Sequence, residues 1–234
     1  GGERSGLALY EIHRGGLEPN EVTPYRMFFT EIESDEGVVG LAVGGSAGVA
    51  SFGQRLVGQD PRAYERIWHE STNRPNSLDG RSRMLSILDV AIWDLLGKAR
   101  GESVCSMLGG PVQPSIRAYA AMLGFLPEPD AAAERSAEVV AQGFTGVKWY
   151  LPHNEHSGPQ GLKHNVDMIR EVREAVGPDI DIMVDCILSA SEQNSLSYAT
   201  RLARQLEEVN VTWLEEPLRP EDLGVYRRLR EATS

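Results

Sequence analysis

The sequence predicts two successive architectures, an antiparallel α+β region followed by a run of βα units on a parallel sheet. Three observations carry this. Short alternating strands joined by the turn "SDEG" (Ser34 to Gly37) come first. After Ser115, strand and helix patterns alternate four times. The later strands carry their polar residues at their carboxyl ends. The change of pattern falls between Pro111 and Ser115, so domains are expected at residues 1–114 and 115–234.

In the first region, Leu7 to His13 and Tyr25 to Glu33 read as strands, and "VVGLAVGG" follows the turn, as in an antiparallel meander. A helix is expected over Pro61 to Glu70. A longer one, Ser82 to Ala99, places Leu85, Leu88, Ile92, Leu95 and Leu96 at helical spacing and stops before Gly101. Asp89 falls inside that apolar stripe. A buried carboxyl is costly without a partner, so a structural hydrogen bond is expected of it rather than catalysis. Trp68, Trp93 and Met84 read as core or interface. "VGGSAG" and "LVGQDP" fit neither GxGxxG nor GxxxxGK and read as loops.

In the second region, "SIRAYAAML" is the first strand and Pro129 to Gln142 the first helix. The strand "TGVKWYL" precedes a helix with Asn165 as its N-cap and Gly177 as its stop. "IDIMVDCIL", a helix over Leu196 to Val209, "VTWLEE" and a helix over Glu221 to Ala232 complete the pattern. Lys148, Asp185 and Glu215 recur at intervals of about 30 to 40 residues, the length of one right-handed βα unit. Open α/β sheets and (β/α) barrels both place their chemistry at the carboxyl ends of such strands.

Composition narrows the function. With 234 residues, 41% of them hydrophobic, a sizeable core is possible. A net charge of -11, from 34 acidic and 23 basic residues spread along the chain, makes nucleic acid and anionic membranes poor partners. Cys105 and Cys186 lie far apart without CxxC spacing, which signals neither zinc nor a disulfide framework and fits a reducing cytoplasm. No apolar run is long enough to span a bilayer. No secretory signal pattern is visible, and the start "GGERSG", without methionine, fits a processed or artificially joined end.

Strand parity brings the polar residues together. Lys148 and Tyr150 share one face of their strand, opposite Val147, Trp149 and Leu151. Asp185 stands opposite the apolar face of Ile180, Ile182 and Val184, while Glu215 shares a face with Trp213 and Glu216 points the other way. Lys148, Tyr150, Asp185 and Glu215 can therefore converge on one interior mouth. Two carboxylates that close are stable only around a proton or a cation. A hard divalent ion, Mg²⁺ above all, suits such oxygen donors, and a lysine beside it would favour an anionic transition state. The same residues also serve elsewhere as caps and surface charge. His153 and His156, on the loop after the second strand, are candidate substrate contacts or solvated loop residues. Cys186 reads as a buried packing thiol. Glu216 reads as tying the strand end to a cation or supporting Glu215, and Pro217 as ending the strand.

These residues resemble the enolase superfamily, specifically its mandelate racemase subgroup. The likeness rests on "SILDVAIWDLLGKARGESVCSMLGG", "GFTGVKWY", "IMVDC" and "WLEEP" and covers nearly the whole chain. It implies an α+β capping domain followed by about the first four units of a (β/α)8 TIM-type barrel. It implies Asp185 and Glu215 as two of three Mg²⁺ ligands, and Lys148 as the first lysine of a "KxK" motif. The implied reaction removes the proton α to a carboxylate with Mg²⁺ stabilising the enolate, chemistry for which this superfamily is itself a standing example.

Tyr150 replaces the second lysine, which argues against a two-base racemase. "HNEHSGPQGLKHNVDMIREVREAVG" and "SYATRLA" are similar to acid-sugar dehydratases of the L-rhamnonate dehydratase type. That likeness implies a cytoplasmic hydro-lyase, a homo-oligomer, acting on a small-molecule sugar acid. Lys148 would then act electrostatically, and Tyr150 as a substrate contact or weak acid/base. Other reactions of the superfamily, racemisation, epimerisation or cycloisomerisation, are the alternative. The sequence ends before the third ligand and before a His-Asp dyad, so either more chain follows or this is an inactive fragment. Specificity is expected in the capping loops near residues 13–24 and in barrel strands beyond this sequence, so the sequence does not identify the sugar acid.

Overall fold

The structure is a computed structural model and describes residues 8–13, 22–72, 78–186, 194–219 and 221–233. The chain divides into two compact units, one centred on Val22–Ser115 and the other on Ile116–Ser234. Among the described residues no helix is long and apolar enough to cross a membrane. Leu7, most of the expected specificity loop, and Ile187 and Leu188 lie outside the described residues.

In the first unit, β1 (Ala8–His13) pairs with β2 (Val22–Met27), and β3 (Phe29–Glu33) runs antiparallel to β4 (Val39–Val43). The expected single strand over Tyr25 to Glu33 is therefore broken at Phe28. There the chain changes partner, and the Phe28 carbonyl accepts the Gly44 amide at 2.7 Å. Periodicity does not register such a switch, because Phe28 itself suits a strand. The β3–β4 turn needs Gly37 at φ +80°.

Helices α1 (Ala47–Gly53), α2 (Tyr64–Thr72), α3 (Leu78–Arg100) and α4 (Val104–Met107) follow, with a 3₁₀ turn over Pro61–Ala63 leading into α2. The stripe on α3 is buried as its spacing requires. Leu85 and Leu88 pack with Val49 and Phe52, and Ile92 and Leu96 pack with Ile67. Met84 lines the first cluster, and Trp93 meets the Tyr64 ring at 4.6 Å. Trp68 does not join this core, at 41% exposure on the short helix α2.

Asp89 makes no hydrogen bond among the described residues, contrary to expectation. It is only half-buried, so water can still solvate it, and burial together with the Glu65 charge pushes its carboxyl pKa up. The structural hydrogen bonds belong instead to Asp94, which accepts from the Leu41 amide at 2.8 Å and pairs with Lys98.

In the second unit, β5 (Ala120–Ala121), β6 (Gly146–Tyr150), β7 (Asp181–Asp185) and β8 (Trp213–Glu215) form one sheet in sequence order, with every pairing parallel. Helices α5 (Pro129–Ala141), α6 (Gly158–Val176), α7 (Leu196–Glu207) and α8 (Leu223–Ala232) follow the strands one by one. "SIRAYAAML" yields only a two-residue strand. Among the described residues β5 pairs on one side alone, and its last ladder bond runs from the Met122 amide to the Lys148 carbonyl at 2.9 Å.

The start of α6 also differs from expectation. Asn165 is not an N-cap: the helix begins at Gly158, with Pro159 in its first turn, where a missing N–H costs nothing. Asn165 sits in mid-helix, fully buried, and spends its amide on the His153 backbone, accepting from its N–H at 3.3 Å and donating to its carbonyl at 2.8 Å.

The core of this unit lies on the helix side of the sheet. Val147, Trp149, Ile182 and Val184 pack there against Val166, Ile169, Val172, Leu202 and Leu206. The Trp149 indole donates to Ser136 Oγ at 2.8 Å, and Ser136 donates to the Ala132 carbonyl, so even the buried polar atoms tie β6 to α5. On the opposite face the rings of Tyr119, just before β5, and Trp213, on β8, meet edge to face at 5.8 Å across the sheet.

The amino ends of the strands are tied by polar side chains. Arg117 binds Thr145 and Asp181, and Thr212 donates to Asp181 at 3.2 Å. Arg173 donates to four carbonyls, those of Gly177, Ile180, Val209 and Asn210.

One position in the first unit gives a direct test of close packing. A Cβ on Gly40 would lie 2.0 Å from the Ala91 carbonyl oxygen and 2.6 Å from Leu95 Cβ. Gly40→Ala must therefore force β4 off α3, and urea unfolding of the variant is expected to show a loss of about 1–3 kcal/mol, the usual range for overpacking. An unchanged midpoint would contradict this packing.

Candidate active site

The carboxyl ends of β6, β7 and β8 gather the polar residues. Register sets Tyr150, Asp185 and Glu215 side by side in one row across the sheet, with Lys148, Met183 and Trp213 in the row beneath. Lysine is long enough to reach upward and across. Its ammonium lies 2.8 Å from Asp185 Oδ2 and 2.8 Å from Glu215 Oε2. Burial pushes the Lys148 pKa down, but hydrogen bonds to the two carboxylates outweigh it and the net shift is upward. The magnitudes agree with this. Unit charges 4 Å apart in a partly buried site interact by about 4 kcal/mol, and two such attractions exceed the one repulsion between the acids.

Glu215 has a second donor, the Trp213 indole, 3.1 Å from the same Oε2. Tyr150 donates its hydroxyl to the Phe125 carbonyl at 2.7 Å, and burial raises its pKa, so it stays protonated at neutral pH. The phenol is thereby oriented toward the loop between β5 and α5. Met183, 2% exposed, fills the face beneath the acids.

The two loop histidines are placed differently from one another. His153 is half-buried, its backbone held by Asn165 and its ring edge to face with His164 at 4.8 Å. Gly161 leaves room for it, since a Cβ there would come within 3.0 Å of His153 Cβ. His156 is exposed, its amide bound by Asn154.

Glu216 does not meet a cation among the described residues. Its backbone sits at φ +47°, a costly conformation for a residue other than glycine, and the residue is exposed. Its charge helps raise the pKa of Cys186, after burial and Asp185, and that of Tyr226.

Sequence reading missed the residues that hold the mouth in shape. Asn194 is buried and links two loops, accepting the Glu155 amide at 2.9 Å and donating to the Pro217 carbonyl at 3.2 Å. Glu155 in turn accepts from the Ser195 amide and hydroxyl at the start of α7. The Tyr226 hydroxyl holds the Leu218 carbonyl at 2.8 Å. The only available signal was a polar residue just before each helix, which ordinarily means a cap.

The donor set fits a hard cation. Asp185 and Glu215 offer oxygen from neighbouring strand ends, the chemistry that suits Mg²⁺, and they already hold the positive charge of Lys148 between them. Among the described residues, no group of three or more acidic, histidine or cysteine side chains comes together as a complete metal site.

A parallel α/β sheet with acids at its strand ends thus follows a separate α+β unit. Residues 20–109 match the family described as "Mandelate racemase / muconate lactonizing enzyme, N-terminal domain", and residues 131–234 match "Enolase C-terminal domain-like". The chain belongs to the enolase superfamily, in its mandelate racemase group: an N-terminal capping domain and a C-terminal barrel-like α/β domain.

It is 33% identical over 233 residues to an L-rhamnonate dehydratase of Saccharopolyspora erythraea, covering 96% of this chain and 56% of that protein. The solved L-rhamnonate dehydratase of Gibberella zeae is 33% identical, with a TM-score of 0.68, over 88% of this chain and 51% of that one. The 3,6-anhydro-D-galactonate cycloisomerase of Zobellia galactanivorans is 27% identical, with a TM-score of 0.75, over 90% and 59%. The chain spans about half the length of the curated relatives it matches.

Two measurements test this site. Lys148→Met removes the shared cation and leaves two facing carboxylates. The loss at neutral pH is expected to be on the order of 2 kcal/mol, between values for exposed and buried pairs, and partly restored by millimolar Mg²⁺; calorimetric unfolding with and without the metal reads it. The second concerns Cys186, whose thiol is pushed up to about 12 from 9.0, chiefly by burial. The unfolded chain then loses this proton first. The stabilising contribution is whole below pH 9 and is lost as pH rises toward 12. Iodoacetamide at pH 8 should label exposed Cys105 and spare Cys186, and Cys186→Ala should flatten the alkaline fall in stability.

Proposed function

We propose that this chain carries the capping domain and the first part of the catalytic barrel of a Mg²⁺-dependent acid-sugar dehydratase. The observation that carries the reading is the cluster of Asp185, Glu215 and Lys148 at the ends of adjacent parallel strands, within a chain 33% identical to an L-rhamnonate dehydratase. A (β/α)8 barrel of which about four units are present follows from the same reading.

The net reaction takes the α-proton from a sugar acid and expels the β-hydroxyl as water. The electron pair of the C–H bond forms the enol double bond, and tautomerisation gives a 2-keto-3-deoxy acid. Bound Mg²⁺ would supply Lewis acidity toward the substrate carboxylate. Asp185 and Glu215 would hold it. Lys148, set between the two acids, would serve as a positive charge beside the substrate carboxylate. Tyr150 is protonated and presents a phenol at the rim as a substrate contact. His153 and His156 lie on the same rim, with His156 the more exposed and the freer to meet a sugar hydroxyl. The likeness to a cycloisomerase supports a second reading, in which a cation held by the same acids would stabilise an enolate that goes on to ring opening.

The test is a panel of aldonates and aldarates, incubated with the full-length gene product and Mg²⁺ and assayed for 2-keto acid formation. A dehydratase releases one water per turnover, whereas a cycloisomerase conserves the substrate mass, which mass spectrometry distinguishes. Asp185→Asn is expected to reduce turnover by at least about 100-fold with its circular dichroism unchanged. Product from none of the sugar acids, in protein shown to bind metal, would end the dehydratase reading.

A further inference from the structure

Trp213 stands two residues before Glu215 on β8 and shares its face of the sheet. Its indole N–H donates to Glu215 Oε2 at 3.1 Å, and the Lys148 ammonium meets the same oxygen at 2.8 Å. Oε1 has no such partner among the described residues. The ring itself is 41% exposed, so burial is not its main contribution. It is nonetheless oriented, because its edge-to-face contact with Tyr119, at 5.8 Å and 79°, fixes the direction in which the N–H points.

We infer that Trp213 is a positioning residue for Glu215. By occupying Oε2 together with Lys148, it selects one rotamer of a flexible side chain and leaves Oε1 as the oxygen offered to a cation. A glutamate has three side-chain torsions, and a donor on its own strand, locked by a second aromatic ring, removes the freedom that would otherwise weaken a metal ligand. Lys148 alone cannot do this, because its ammonium is shared with Asp185 and is itself carried on a long chain. The inference rests on the metal reading above but concerns an atom that reading does not use.

Trp213→Phe keeps an aromatic ring against Tyr119 and removes only the donor. With Mn²⁺ as a paramagnetic stand-in for Mg²⁺, and the substitution carried in the full-length gene product, water-proton relaxation should show the variant binding roughly 10-fold more weakly than wild type, at an unchanged thermal midpoint. Equal affinity would overturn the inference and reduce Trp213 to packing. A second measurement needs no metal. The indole cross-peak absent from the Trp213→Phe spectrum is that of Trp213, and Glu215→Ala should move it upfield by removing its acceptor; a stationary peak overturns the inference. Should the full-length wild-type protein bind no Mn²⁺, the metal reading fails while the cross-peak still decides the contact, so the two failures are told apart.

Discussion

Two acids at the ends of neighbouring strands must share a positive charge, and much of the second unit serves that constraint. Register puts Asp185 and Glu215 abreast, and their mutual repulsion would favour taking up a proton or splaying apart. Lys148 prevents both, reaching from the row below to bind each at 2.8 Å. The apolar face behind the strands makes the arrangement possible. Trp149, Val184 and Ile182 anchor the strands in the core, so the polar ends need not contribute packing. The site can remain electrostatically costly because the sheet under it is held by other means.

The shape of the mouth depends on a different set of bonds. Glu216 occupies a left-handed conformation immediately before a proline, where neither residue favours the turn. Such a conformation persists only if its surroundings over-determine it. Asn194 holds the next carbonyl, Tyr226 holds the one after, and Leu218 is buried against α7 and α8. Glu155 extends the same network to the preceding loop. The loops around the acids are therefore coupled largely through backbone amides and carbonyls.

Much of this was legible in the sequence, for physical reasons that also explain the failures. A period of two residues decides which face a strand residue occupies, so Lys148, Asp185 and Glu215 could be placed on one face before any coordinates. Glu216 falls just past the strand's end, where a period of two no longer applies. Asn165 was misread because an asparagine ahead of an apolar run is normally a cap, whereas here it is buried and satisfies a loop backbone. The helix had already begun at a glycine-proline pair, which local pattern equally marks as a turn. The break at Phe28 was invisible because a change of pairing partner leaves the residue type unaltered. Asn194 and Glu155 were missed because their partners are distant in sequence.

The polar belt at the amino ends of the strands has a consequence for how such a protein can change. Arg117, Thr145, Asp181 and Thr212 bind the strands together at the end opposite the acids, and Arg173 gathers the carbonyls of the connecting turns. Stability and chemistry thus occupy opposite poles of one sheet. Substitutions that reshape the rim leave the belt untouched, so the rim is open to drift and selection without first passing through an unfolded ancestor.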